Sequence, residues 1–537
     1  MTAARGPAGP RRIGPPLTIL AAALLAMLFL YAPVRDFGFV WDDVAEVQRN
    51  PLLHGALGPG LLASNHEHMG VRRADWLLPS HESLRPLRYL SYRLDAVLHG
   101  LNPGAMHLHN LLLAWVGLLV AYFVARRWGL GGAAAALAAL IFGLHPLQVE
   151  PTAYISARSD LLGGVLGLLS VGLGLSALQR LQHFYFWLAA SALAFLLALS
   201  AKEATVLLPF TVVVQGFVLL RRDDALKWDR LAWVGATYAL TAAVWFGLRS
   251  SYVRSSGSLS PIDWAHGFGT GLLQYLWIFL KPIDCSVVRP FAPGSWWALA
   301  ACLLVTFAGL AWLWMRPRGA ASRYVPLLLM SIFALLPSLV AASVTGIASD
   351  RYAYTACFPF AVAFVQLGSD LRRRFPVTRA AIFALGGAWL LALLFIVTTL
   401  VPAWRDPIAL YGHALRIEPS SAAAHYGLGS AVMGTAGCEI AEPLFLHAIG
   451  LDPNYLRAYT NLSVCEMRRG ALDEAAATLE RALELGGGLN PKVWANLAEV
   501  RLGQGNTLDA CAHLERAIAL DPGYAFAEEL LAKHCQR

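Results

Sequence analysis

The sequence predicts an all-α protein, a polytopic membrane bundle followed by an α-solenoid. Three observations carry that expectation. Of 537 residues, 57% are hydrophobic and only 14% charged, where a soluble chain carries about a quarter charged residues. Apolar runs recur from residue 17 to residue 401, and about 20 such residues in a helix cross a bilayer core. Beyond Pro402 the composition turns polar, and helical segments return every 34 or 35 residues.

The first run, LTILAAALLAMLFLYAPV after MTAARGPAGPRRIGPP, is longer than a signal-peptide core and lacks a small-x-small cleavage site. It is read as a retained span that also targets the chain to the membrane. Further runs lie at about 108–125, 130–145, 161–178, 184–200, 204–220, 231–248, 296–315, 324–344, 352–367 and 380–401, about eleven in all. Several are nearer 16 residues than 20 and are expected to extend a turn into their flanks.

Lys and Arg set the orientation. With the N-terminus cytoplasmic, every short inner connection is basic. These carry Arg11-Arg12, Arg126-Arg127, Arg180, Arg221-Arg222 with Lys227 and Arg230, Arg316/Arg318/Arg323, and Arg372-Arg373-Arg374 with Arg379. This is the positive-inside pattern, and it accounts for much of the net charge of +8 without nucleic acid. An odd number of spans then puts the C-terminus outside, with long outer loops at about 35–107 and 249–295. The stretch Phe268–Leu280 in the second loop is short for a span and is expected at the interface.

In the tail, HYGLGSAV, YTNLSVCE and WANLAEVR align, as do Ala414, Ala448, Ala482 and Ala517, while Pro419, Pro453 and Pro522 close hairpins. The period resembles that of tetratricopeptide repeats. Three full repeats and a half-repeat (Trp404 to Pro419) are expected, so the domains are 1–402 and 403–537. A solenoid of this kind offers a concave surface for peptides or proteins, or simply caps the membrane part. The seven cysteines show no metal spacing. Cys438, Cys465, Cys511 and Cys535 could pair if the tail faces an oxidising compartment.

Polar residues in the membrane part gather at the outer turns. Asp42-Asp43 follow the first span, Arg85, Arg88, His107 and His109 precede the second, and His145, Glu150, Arg158 and Asp160 join the third and fourth. Lys202-Glu203 and Asp350-Arg351 mark two more turns. Singly, each has a bland reading as a cap or a local pair. Together they favour a shared polar cavity, since ionisable groups beside lipid are expensive and mark function. Cations there suit a phosphate, and carboxylates suit a general base or a cation site.

The stretches FVWDDVAEVQRNPLL, SLRPLRYLSYRLDAVLHGLNPGAMHLHNLLL, HPLQVEPTAYISARSDLL, SAKEATVLL, SDRYAYTACFPF and WRDPIALYGHALRIEP resemble the transmembrane and tetratricopeptide-repeat family of protein O-mannosyltransferases and its bacterial relatives. That resemblance implies the GT-C glycosyltransferase architecture. It also implies a polyprenyl-phosphate sugar donor, an acceptor hydroxyl on the outer side and inversion at the anomeric carbon. Asp42 or Asp43 would be the base, with Asp43 slightly favoured. Arg85, His145, Arg158, Lys202 and Arg351 would face the donor phosphate, and Glu150, Asp160 and Glu203 would orient those cations or the sugar. No cofactor is implied, and a divalent cation is not favoured. Leu84 and Gln148 stand where the family more often has Tyr and His. The Ala, Arg and Gly richness suits a bacterial inner-membrane protein with its tail in the periplasm. Two other classes compete: a flippase of lipid-linked intermediates, and a scaffold recruiting partners through its repeats. A flippase would show charges near mid-membrane and two related halves, and a scaffold needs only one span.

Overall fold

The computed structural model describes residues 14–48, 50, 53, 84–221, 228–250, 261–286, 289–290, 296–315, 321–345 and 347–535. Arg11, Arg12, Arg222, Lys227, Arg316 and Arg318 of the basic connections, and residues 54–83 of the first outer loop, lie outside the described residues. The fold is helical; among the described residues its only strands are the antiparallel pair Arg289–Pro290 and Ile347–Ala348.

Nine described helices are long and apolar enough to cross a membrane, or ten if Gly132–Leu144 and Pro146–Ala153, bent by 60°, form one broken span. The chain is thus a multi-pass membrane protein, with fewer regular spans than the eleven expected runs. Two expected runs differ for visible reasons. The run at 130–145 ends at His145, where Pro146 cannot continue the hydrogen-bond ladder and the chain turns. The run at 352–367 begins in the 3-10 turn Asp350–Ala353, and its helix, Cys357–Arg374, ends on Asp370 and three arginines.

Arg158–Gln179 is the most buried helix of the bundle and packs between Pro103–Arg127 and Phe184–Ala201. Small residues permit that closeness, as in many membrane helix pairs. Gly172 shows why: a Cβ there would lie 2.5 Å from the Phe123 ring of Pro103–Arg127.

Contacts gather the basic helix ends at one face of the bundle. Gln179 donates to the Arg127 carbonyl at 2.7 Å, the Arg221 guanidinium lies 4.9 Å over the Trp314 ring, and Arg323 pairs with Asp370 at 2.7 Å. The polar turns lie at the other face. The helix Pro261–Leu280 ends there too: His145 Nε2 meets the Phe279 carbonyl at 3.0 Å, and the Tyr275 hydroxyl donates to the Ser349 carbonyl at 2.7 Å.

After the last span, Pro407–Ile417 leads into three helix hairpins, Ala422–Thr435 with Cys438–Leu451, Leu456–Arg468 with Leu472–Glu484, and Pro491–Gly503 with Thr507–Leu520, and Ala525–His534 follows. Ala414, Ala448, Ala482 and Ala517 are all buried, as the period requires. Cys438 pairs with Cys465 and Cys511 with Cys535, at Cα separations of 5.1 and 5.7 Å.

Candidate functional site

The site begins with a turn. Phe37 to Val40 leave the first span extended, and Trp41 then takes φ +52°, a left-handed conformation that costs a side-chain-bearing residue about 1–2 kcal/mol. The indole stacks on Tyr154, which stacks in turn on Trp404, with ring centres 5.8 and 5.1 Å apart. This column holds the turn and sends the two adjacent carboxylates in different directions.

Asp42 lines a cavity of about 310 Å³ at the polar end of the bundle. Asp43 does not; it is wholly buried. Its carboxylate accepts from the Val40 amide at 3.2 Å and from the Ser156 amide and hydroxyl at 2.8 and 2.6 Å. Burial pushes Asp43 up to about 7, against those hydrogen bonds. Asp43 therefore ties the turn to the 155–157 segment, while Asp42 is the acid of the pair that faces the cavity.

Four cations face the cavity, and each has a carboxylate beside it. Arg85 binds Glu203 through two nitrogens at 2.7 and 3.0 Å, Arg88 binds Glu46 at 2.5 Å, and Lys202 binds Asp160 at 2.5 Å. Arg351 binds Glu150 at 2.7 Å and lies 5.3–5.6 Å over the rings of Trp41, Tyr154 and Tyr352. Glu150 also accepts from the Ser349 hydroxyl and the Arg351 amide, so it shapes the 349–351 turn from behind. Asp42 alone among these acids has no ion-pair partner among the described residues. Burial, and then Glu46, raise its pKa above the ordinary carboxylate value.

Of the expected site residues, Asp42, Arg85, Asp160, Lys202, Glu203 and Arg351 line one cavity. His145 and Arg158 do not line it. Both His145 nitrogens are engaged, Nδ1 accepting from the Leu147 amide and Nε2 meeting the Phe279 carbonyl, with the ring stacked on Phe279 at 4.7 Å. Arg158 is 1% exposed and spends its guanidinium on Asp95, the Asn110 side chain at 2.7 Å and the Met106 carbonyl at 2.9 Å. It ties three helices together.

Glu46, Tyr154 and Tyr352 line the cavity as well. Glu46 stands one helical turn after Asp42, its amide donating to the Asp42 carbonyl at 2.8 Å, and that spacing was the signal available for it. Arg88, three residues after Arg85, had the same kind of signal. Nothing local marks the two tyrosines.

No family model matches the chain. A Caenorhabditis elegans protein named protein O-mannosyl-transferase F38B6.6 is 22% identical over 437 residues, which cover 78% of this chain and 60% of that protein. The mouse protein O-mannosyl-transferase TMTC1 is 34% identical over 153 residues, 28% of this chain and 16% of the relative. Human TMTC3, also named a protein O-mannosyl-transferase, is 30% identical over 128 residues, 24% of this chain and 14% of its own. The chain thus spans about 60% of the length of the first of these relatives and much less of the others. Among solved structures, ArnT from Cupriavidus metallidurans bound to undecaprenyl phosphate matches 86% of this chain and 79% of its own at 19% identity and a TM-score of 0.40. YrrB, described as a TPR protein with an unusual peptide-binding site, matches 42% of this chain and 98% of its own at 16% identity and a TM-score of 0.22.

Proposed function

We propose that the chain is a membrane glycosyltransferase that moves a sugar from a polyprenyl-phosphate donor to an acceptor hydroxyl, with Asp42 as the base. The observation that carries this reading is the lone carboxylate of Asp42 in a cavity whose four cations are each paired. The similarity to proteins named O-mannosyl-transferases supports mannose as the sugar and a protein Ser or Thr as the acceptor.

The chemistry balances within that cavity. The acceptor hydroxyl gives its proton to Asp42 as its oxygen bonds the anomeric carbon, and the bond from that carbon to the phosphate oxygen breaks on the opposite face. The donor phosphodiester carries one negative charge, and the departing phosphate monoester gains a second. Arg85, Lys202 and Arg351 would stabilise that gain. Because each cation already has a carboxylate, the resting cavity is close to neutral, and the attraction grows as charge develops. Stabilisation weighted toward the transition state accelerates the chemical step. The reading uses no divalent cation in the cavity, since most carboxylates that would ligate one are held by Arg or Lys. The acceptor segment is assigned to the repeats, on the outer side of what we take to be a bacterial inner membrane.

Purified full-length protein supplied with polyprenyl-phosphate mannose and a Ser/Thr-rich peptide should transfer mannose. Asp42→Asn should lower kcat by about 10²–10⁴-fold, the usual contribution of a general base. A folded Asp42→Asn variant with undiminished transfer would remove Asp42 from the mechanism.

A further inference from the structure

Outside the cavity, one cluster has the composition of a metal site. Asp95 and His99 stand one turn apart near the end of the helix Pro86–His99, and His109 stands in the second turn of Pro103–Arg127. The connection between the helices is closely defined. Gly100 and Leu101 take φ +67° and +61°, and the Asn102 side chain caps the next helix by accepting from the Ala105 amide at 3.0 Å. One ligand atom from each of Asp95, His99 and His109 lies within 4.8 Å of the others.

The hydrogen bonding within this cluster is incomplete. Asp95 is fully buried; one oxygen binds Arg158 and the other meets His109 Nδ1. Both ring nitrogens of His99 are buried, and neither has a hydrogen-bond partner among the described residues. The nearest carboxylate oxygen, Asp95 Oδ1, is 3.6 Å from His99 Nε2. The two imidazoles lie edge to face with centres 5.1 Å apart. A buried polar atom without a partner is costly, and a bound ion would remove that cost.

We propose that Asp95, His99 and His109 bind one divalent transition-metal ion of the Zn²⁺ class. Two imidazoles and one carboxylate suit Zn²⁺, whereas Mg²⁺ and Ca²⁺ take oxygen ligands. Three protein ligands leave a fourth, open position. Tetrahedral zinc with bonds of about 2.0–2.2 Å places its ligand atoms about 3.3 Å apart, so on binding the short Asp95–His109 contact would lengthen while His99 stays near its present 3.6 Å from Asp95. Arg158 opposes the ion by its charge but also fixes the carboxylate with Oδ1 turned toward both rings. The ion would pin the end of the helix whose first turn carries Arg85 and Arg88 to the cavity. The simpler alternative is a hydrogen-bonded cluster around Asp95 with no metal.

The test uses untagged full-length protein in detergent, stripped with a chelator and titrated with Zn²⁺ against a chromophoric chelator, with Mg²⁺ in parallel. Wild type should bind one Zn²⁺ in preference to Mg²⁺, and its melting temperature should rise with the ion. His99→Asn and His109→Asn should each weaken that site at least about tenfold, since even the residues supporting a ligand contribute that much. Equal zinc stoichiometry and affinity in wild type and both variants would leave only the hydrogen-bonded cluster. Melting of the metal-free proteins checks folding, and His109, the more exposed of the two imidazoles, decides alone if the His99 variant is unstable. The readout is metal binding, so it stands whether or not the chain transfers sugar.

Discussion

Asp42 and Asp43 are adjacent in sequence and opposite in environment. A general base works best with a pKa near the working pH, and burial and Glu46 both move Asp42 upward from an ordinary 3.8. The sign follows: Asp42 must be ionised to accept a proton, so transfer should fall as pH drops through its raised pKa. The acid limb of kcat/KM should therefore lie at higher pH than an ordinary carboxylate would set. Glu46→Gln removes a neighbouring negative charge and releases Arg88, and both changes favour the ionised form of Asp42. That limb should then move to lower pH, as measured by transfer rates from pH 4 to pH 8; an unchanged limb in a folded Glu46→Gln protein would assign the titration to another group. The pair itself was legible in the sequence, because two acids just past an apolar span are conspicuous. Which of them faces the cavity was not, since it depends on the left-handed backbone at Trp41 and on hydrogen bonds from Ser156, more than a hundred residues away.

At the scale of the elements, charge alone was a poor guide to role. Arg158 and Arg351 are both arginines in outer turns, yet one is a tie between helices and the other faces the cavity. Their variants should separate. Arg158→Ala leaves Asp95 buried without its partner, a change that costs about 3–5 kcal/mol, and should appear as a large loss of thermal stability in detergent. Arg351→Ala also unpairs the buried Glu150, but it should lower kcat by more than its change in melting temperature explains. If Arg158→Ala instead melts like wild type and raises KM for the lipid donor, Arg158 belongs to the phosphate site after all. The repeats were legible almost residue by residue, because each hairpin buries the same small residues at the same period and needs only its neighbours. The outer turns were not, because their partners come from helices far apart in sequence, as with Glu150 and the 349–351 turn.

For the whole molecule, the first quantity to fix is which side of the membrane holds the repeats. Disulfides persist in oxidising compartments and are rare in the cytosol, so the paired cysteines of the tail fit the outer placement that the basic connections imply. Protein made in a bacterial host and denatured without reduction should offer three of its seven thiols to a mass-tagged maleimide. Reduction should expose the other four; seven reactive thiols without reduction would oppose an outer, oxidised tail. A second prediction concerns how the tail divides. Composition changes at Pro402, but the physical seam lies further on. Trp404 completes the aromatic column behind Asp42, the Gly38 amide donates to the Arg405 carbonyl at 3.2 Å, and His413 Nε2 meets the Cys285 carbonyl at 3.1 Å. Truncation at Pro402 would remove one wall of the turn that carries Asp42, whereas truncation after Pro419 removes only the three hairpins and the helix that follows them. If the repeats select acceptors, the shorter cut should abolish transfer even to a short peptide. The longer chain, ending at Pro419, should keep peptide transfer within a few-fold of full length and lose it toward folded protein acceptors. Equal activity of the Pro419 truncation on both acceptor types would make the repeats a cap with no part in selection.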